Sequence, residues 1–328
     1  MPAVPTAPDP QPSSPLPLPL PDVPTALPLP PPTRRLGSSS LEVGAISYGC
    51  WRFAGTSVGE AREKVLAAVE LGMTLVDTAD IYGFDGAAGF GDAELLLGEV
   101  LATTPGLRER IVLATKGGIR PPVPYDQSPG YLVAACRASL ERLGVEQVDL
   151  YQVHRPDLLA HPADLAAALT ALVGEGLVRE VGVSNFTRAQ TDALVAHLGF
   201  PVVTTQPELS ALCLDPLADG TLDDSMRDGR TPLAWSPLAG GRLGTGAGAD
   251  DDRTAAVHAE LDRIAAAHGS TRAAVALAWV MAHPSGPVPI VGTQQVDRLA
   301  ELATATSVRL DRADWYAVLV ASRGEPMP

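Results

Sequence analysis

The chain has little cysteine: Cys50, Cys136 and Cys213 stand far apart, without a Cys-x-x-Cys pair. An odd, scattered set argues against a disulfide framework or a zinc site and reads as reduced thiols of a cytoplasmic protein. No apolar run reaches the ~18 residues of a membrane-spanning helix. The N-terminus has neither the basic start nor the apolar stretch of a secretory signal. Positive charge is also scarce, and the formal net charge is −14. Such a surface repels phosphate backbones and anionic lipid, so no nucleic-acid or membrane partner is expected. A locally positive site for an anionic cofactor remains compatible with it. Of 24 basic residues only Lys64 and Lys116 are lysines. No cluster of ligating side chains points to a metal, and oligomeric state is not legible.

What is present falls into two parts. Residues 1–33 are rich in proline, as in Pro15-Leu16-Pro17-Leu18-Pro19. Proline fixes φ and removes backbone donors, so a disordered, extended tail is expected over 1–33. From residue 34 to 328 short β-like runs alternate with helical patterns. The runs are 43–49, 74–77, 111–116, 148–154, 178–184, 202–206, 232–236 and 287–291; helical spacing fills 61–71, 95–102, 132–143, 163–174, 188–198 and 270–282. Eight strand–helix units over one domain predict an α/β fold, a (β/α)8 TIM barrel. A hairpin over 36–43 is expected to cap the barrel bottom, and 311–322 to form an outer helix. A doubly wound dinucleotide fold would need GxGxxG directly after the first strand. The glycine-rich stretch 244–248 comes late, before Asp250-Asp251-Asp252, and reads as a flexible loop.

In such a barrel the chemistry sits at the C-terminal ends of the strands. The second run ends in DTADIYG, the third in ATKGG and the fourth in YQVHRPD. Asp77, Tyr82, Lys116 and His154 are thereby expected at one mouth. Carbonyl reduction needs this set. Hydride attack leaves negative charge on oxygen, so a proton donor must be close. A phenol with pKa ~10 is a weak acid, and a neighbouring ammonium stabilises its anion. Tyr82 is the candidate acid, Lys116 the ammonium and Asp77 its counter-ion. His154 can donate a second hydrogen bond to the developing oxyanion.

These motifs resemble the aldo-keto reductase superfamily from about residue 35 to 323, in its bacterial general-oxidoreductase branch. The resemblance implies that Asp77, Tyr82, Lys116 and His154 form the family's catalytic tetrad, and that a nicotinamide dinucleotide binds across the mouth. It places Ser184 and Asn185, in VGVSNFT, and Gln206 at the carboxamide, and Trp235 under the nicotinamide ring. Ser236, Leu238, Gly240 and Arg242 fall on the pyrophosphate loop. Gly292, Thr293, Gln294, Arg298 and Glu301, in PIVGTQQVDRLAEL, fall on the adenosine end. Gly49 and Trp51 match a cofactor- and substrate-facing position. Arg298 favours NADP(H) over NAD(H). Gln294 and Gln295 replace the basic residues of many members, and Leu302 replaces an asparagine.

The expectation is reversible, NAD(P)H-dependent reduction of an aldehyde or ketone, a small-molecule carbonyl, with Tyr82 as general acid. One alternative is a non-catalytic nicotinamide-binding redox sensor on the same fold. Another is a Schiff-base lyase using Lys116; an adjacent Asp77 disfavours it by keeping the amine charged. Substrate choice is expected in the loops 83–91, 120–130 and 211–229. Arg52, Arg120 and Arg155, near strand ends, are candidates for an acidic substrate.

Overall fold

The stretch 43–49, one strand on sequence grounds, is two. In this computed structural model, which describes residues 25–328, β1 (Thr33–Arg35) and β2 (Glu42–Gly44) pair as an antiparallel hairpin, and β3 (Ser47–Gly49) enters the barrel. The break follows Gly44. A Cβ there would lie 1.8 Å from the Gly72 carbonyl oxygen, so only glycine lets the chain pass this close.

Seven further strands close the ring with β3: β4 (Leu75–Asp77), β5 (Val112–Gly117), β6 (Val148–Val153), β7 (Val178–Ser184), β8 (Val202–Gln206), β9 (Thr231–Ala234) and β10 (Val288–Val291). All neighbours in the barrel are parallel, and β10 pairs with both β9 and β3. This closed barrel is the (β/α)8 architecture that the strand–helix alternation implied. Between strands run α1 (Val58–Glu70), α2 (Asp92–Ala102), α3 (Pro129–Leu143), α4 (Pro162–Gly174), α5 (Arg188–Val195) and α6 (Thr221–Asp228). Then come α7 (Asp252–His268), α8 (Arg272–Met281), α9 (Val296–Ala303) and α10 (Arg312–Arg323).

Side-chain alternation explains how the site is aimed. Leu75, Val112, Ala114, Leu150, Val288 and Ile290 form an inner cluster with Leu36, Leu41 and Val43 of the hairpin, which plugs the barrel bottom. Val76, Leu113, Tyr151 and Val153 belong instead to the outer core against the helices. With a period of two, the next inward positions are Asp77, Lys116, Gln152 and His154. A register shift between β7 and β8 skips Val203, leaving Thr204 opposite Gly182. This bulge re-aims Thr204 and Gln206 into the interior.

Three elements differ from expectation. Of the tail expected over 1–33, residues 1–24 lie outside the described residues, but 25–33 are tied to the domain. Leu27 N–H donates to Leu310 O at 2.8 Å, Arg312 N–H donates to Thr25 O at 2.9 Å, and Thr33 already pairs in β1. The helix α7 was not anticipated: the Asp250-Asp251-Asp252 run after the glycines is its start, with the Asp251 side chain accepting from Thr254 N–H. The loop expected over 211–229 contains α6.

Candidate active site

Asp77 ends β4, Lys116 lies near the end of β5, and His154 follows β6, so three neighbouring strands deliver them together. Tyr82 comes from the turn after β4, where its N–H donates to Ala79 O at 3.2 Å. The fully buried Lys116 ammonium donates to Asp77 Oδ2 at 2.7 Å, Thr78 O at 2.8 Å and the Tyr82 hydroxyl at 3.0 Å. These three acceptors match its three donors. Burial alone would lower its pKa, but Asp77 and then Tyr82 outweigh burial and raise it. An ammonium has no lone pair to offer, so these partners disfavour the Schiff-base alternative.

The other three groups are tuned as follows. Burial raises the Tyr82 phenol above its usual value of 10, and Lys116 offsets this only in part. Lys116 acts in the direction expected of a neighbouring ammonium, but burial prevails and the phenol keeps its proton at neutral pH. Asp77 Oδ1 accepts from Gln206 Nε2 at 3.1 Å and from Gln152 Nε2 at 3.3 Å. Thr204 Oγ1 in turn donates to Gln152 Oε1 at 3.2 Å. The carboxylate is thus fixed by an ammonium on one oxygen and two amides on the other. His154 meets the Tyr82 ring edge-on, with centroids 5.7 Å apart. Its Nδ1 is buried without a protein partner. Burial, then Lys116 and Arg155, holds its pKa well below 6.5, so the ring is neutral.

A depressed histidine pKa contributes stability that is complete above the unfolded value near 6.5 and is lost as pH falls through the folded value. Thermal unfolding between pH 8 and 5 should therefore show stability declining below pH 6.5, with a slope of up to about 1.4 kcal/mol per pH unit from this residue. His154→Gln should flatten that part of the curve. An unchanged slope would mean that His154 is charged or solvated in the fold.

A second polar group lies beside the first. Ser184 Oγ donates to Gln206 O at 3.0 Å, Asn185 Nδ2 donates to Ser184 Oγ at 2.8 Å, and Trp235 Nε1 donates to Asn185 Oδ1 at 2.9 Å. Asn185 adopts φ 59, a left-handed conformation that asparagine tolerates better than most residues. Gln206 touches both groups, joining the Asp77 cluster to the Ser184–Asn185–Trp235 set.

Both groups open into one cleft of about 670 Å3. It brings together Gly49, Trp51, Asp77, Tyr82, His154, Ser184, Asn185, Gln206, Trp235, Ser236, Leu238 and Gly240, and runs on to Gly292, Thr293, Arg298 and Glu301. Lys116 stands behind its wall. Gln294 faces elsewhere and accepts from Lys64 Nζ at 3.0 Å. Arg242 also lies outside the wall: it pairs with Asp250 at 2.5 Å and Asp251 at 2.6 Å. The amides of Ala239, Gly240 and Gly241 bond within their own loop, to Ser236 O, Ser236 Oγ and Leu238 O.

Sequence reasoning missed Gln152, Thr204 and Thr245. Gln152 left a signal, an amide at an inward position of a buried strand. Thr245, which lines the far end and donates to Glu301 at 2.5 Å, sits in the stretch read as a plain loop. Among the described residues no group of three or more ligating side chains could hold a metal, and no helix is long and apolar enough to cross a membrane.

A closed parallel barrel with a proton-loaded phenol, a paired ammonium and a neutral imidazole at its mouth defines an enzyme class able to protonate an oxygen that is gaining negative charge. The family model for the aldo/keto reductase family matches residues 45–319, and the chain belongs to that family. A 6-dehydroglucose reductase of Novosphingobium aromaticivorans is 55% identical over 304 residues, covering 92% of this chain and 99% of that protein. A 6-dehydroglucose reductase of Agrobacterium fabrum is 37% identical, covering 88% and 97%. A thermostable aldo-keto reductase, solved with the inhibitor epalrestat, superposes with a TM-score of 0.76 at 26% identity, covering 88% of this chain and 99% of that one. The chain is an oxidoreductase of the aldo-keto reductase type, and its chemistry is carbonyl reduction. These relatives favour the enzyme over the redox-sensor alternative.

Proposed function

We propose that the protein reduces a sugar-type aldehyde to the alcohol with NADPH in the cytoplasm, with Tyr82 as general acid. The bond from Lys116 to the Tyr82 hydroxyl, 3.0 Å, carries this reading, because it joins the proton donor to the charge that stabilises its anion. The aldehyde class follows from the relatives named for 6-dehydroglucose. Three free cysteines are in keeping with a reducing compartment.

The residues present fit a nicotinamide dinucleotide at both ends of the cleft. Gly240 and Gly241 have positive φ, and an added Cβ at either would project into space empty to 4 Å, so the wall stays open between the two ends. At one end Ser184, Asn185 and Gln206 would hold the carboxamide and Trp235 the ring face. At the other, Arg298 lines the cleft with no carboxylate within 4 Å among the described residues, leaving its fork for a phosphate. A bound dihydronicotinamide supplies hydride to the carbonyl carbon. Tyr82 donates its proton to the carbonyl oxygen, Lys116 stabilises the phenolate left behind, and neutral His154 donates to the same oxygen. Asp77 keeps Lys116 charged. Arg242 is engaged by Asp250 and Asp251, so Gly240, Leu238 and Ser236 form the middle of the site without that guanidinium unless those pairs open.

Cofactor oxidation followed across a panel of aldehydes, with NADPH and NADH, tests the reading. Aldehyde-dependent oxidation preferring NADPH is expected. Arg298→Ala should weaken NADPH binding about 10- to 100-fold, the worth of a charge-assisted hydrogen-bond set, and NADH binding far less. Equal losses for both cofactors, measured by fluorescence titration, would remove Arg298 from the 2′-phosphate.

A further inference from the structure

Two guanidinium groups that line the cleft form no ion pair among the described residues. Arginines elsewhere in this acidic chain are mostly in ion pairs, as with Arg108, Arg142, Arg179 and Arg272. Arg52 and Arg155 both line the cleft, and neither has a carboxylate within 4 Å among the described residues. Arg155 is half-buried and Arg52 exposed. An unpaired, half-buried guanidinium is costly to hold, and a ligand with hydrogen-bond acceptors would offset that cost at Arg155.

Arg155 is held in place. Its carbonyl accepts from Gln127 Nε2, the preceding carbonyl of His154 accepts from Asn185 Nδ2 at 3.3 Å, and its guanidinium lies 5.8 Å from the Trp235 ring. Trp51, which lines the same cleft, is 60% exposed, with its indole nearly parallel to the Tyr82 ring, at 23° and 6.1 Å between centroids. The cleft therefore combines two donor forks with an open apolar plate beside the candidate proton donor.

Resting on the reductase reading above, we propose that Arg155, assisted by Arg52, is a specificity-determining subsite for the hydroxyls of a neutral, polyhydroxylated carbonyl substrate whose carbon face lies on Trp51. A guanidinium presents five donors in a planar fork that can span two neighbouring oxygens. An apolar plate suits the C–H face of a sugar ring or chain. An anionic substrate would fit the forks as well, but one feature weighs against it. Burial raises the Glu208 pKa and Arg155 offsets this only in part, so a carboxyl already lies within the field of that guanidinium and would oppose a second one. A neutral polyol meets no such repulsion.

The test compares D-glyceraldehyde with propanal, its unhydroxylated counterpart, and succinic semialdehyde with butanal, at pH 7.5, where His154 is neutral. The wild type should favour glyceraldehyde over propanal in kcat/KM by about 10- to 100-fold. In Arg155→Met that preference should collapse towards one, through a rise in KM for glyceraldehyde. Arg155→Lys, which keeps charge but loses the fork, should fall between, and Arg52→Met should show a smaller loss of the same kind. Equal losses on both members of the glyceraldehyde pair would overturn the subsite. So would an arginine-dependent preference for succinic semialdehyde over butanal that exceeds the hydroxyl preference, since it marks an anion site. A wild type that oxidises NADPH with none of the four would refute the proposed function instead.

Discussion

Tyr82→Phe should lower kcat for aldehyde reduction by about 10²- to 10⁴-fold, the contribution of a positioned general acid. NADPH affinity should be nearly unchanged. The substitution removes one oxygen and keeps the ring, so the near-parallel contact with Trp51 and the edge-on contact with His154 survive. Lys116 keeps its bonds to Asp77 and Thr78 and loses only the third. No described bond links the phenol to Ser184, Asn185 or Gln206, so the proposed carboxamide group is untouched. Pre-steady-state mixing with NADPH and a saturating aldehyde, beside a fluorescence titration of NADPH, separates the two quantities. A variant that turns over within a few-fold of wild type would require another acid, and His154 is too poor a source of protons while it is held neutral.

Lys116→Met should cost both turnover and stability. The ammonium is fully buried and Asp77 almost so, and their 2.7 Å contact is the principal compensation for each charge. Breaking a buried pair by removing one partner costs about 3–5 kcal/mol, because the other charge is left uncompensated. Urea unfolding should show that loss in its midpoint. Adding Asp77→Asn should recover most of the stability, since no unpaired carboxylate then remains and an amide oxygen can still accept from Gln206 and Gln152. It should recover none of the turnover, because nothing then stabilises the phenolate. Independent, additive stability losses in the double variant would show that the two residues do not act as a pair.

The catalytic candidates were legible because two simple signals coincide. Short β-like runs alternating with helical stretches mark the barrel strands, and the polar residue that ends each run must lie at the mouth. Asp77, Lys116 and His154 fall out of that rule directly, and Tyr82 comes from the turn that follows. Gln152 obeys the same rule and was passed over, since within a buried strand an amide looks like noise until its partner across the barrel is known. Thr204 could not be read at all: it points inward only because of the β7–β8 bulge, a non-local feature. The helix α7 was hidden by its own start, where glycines and three aspartates look like a solvated loop, although Val257, Leu261 and Ile264 repeat at helical spacing and are buried.

Electrostatic tuning was the least legible part. The sign of the Tyr82 shift depends on how much burial opposes Lys116, and burial is not a property of neighbours in sequence. The same holds for Arg242. The glycines around it pointed to phosphate, yet Asp250 and Asp251, eight and nine residues on, return to pair with it.

A crystal structure of the protein with NADP+ and an unreactive carbonyl ligand measures the central claim most directly. The carbonyl oxygen should lie within about 3 Å of both the Tyr82 hydroxyl and a His154 ring nitrogen, with Lys116 still bonded to the phenol. A carbonyl seated elsewhere in the cleft, or a phenol turned away from Lys116 once the cofactor is bound, would contradict it.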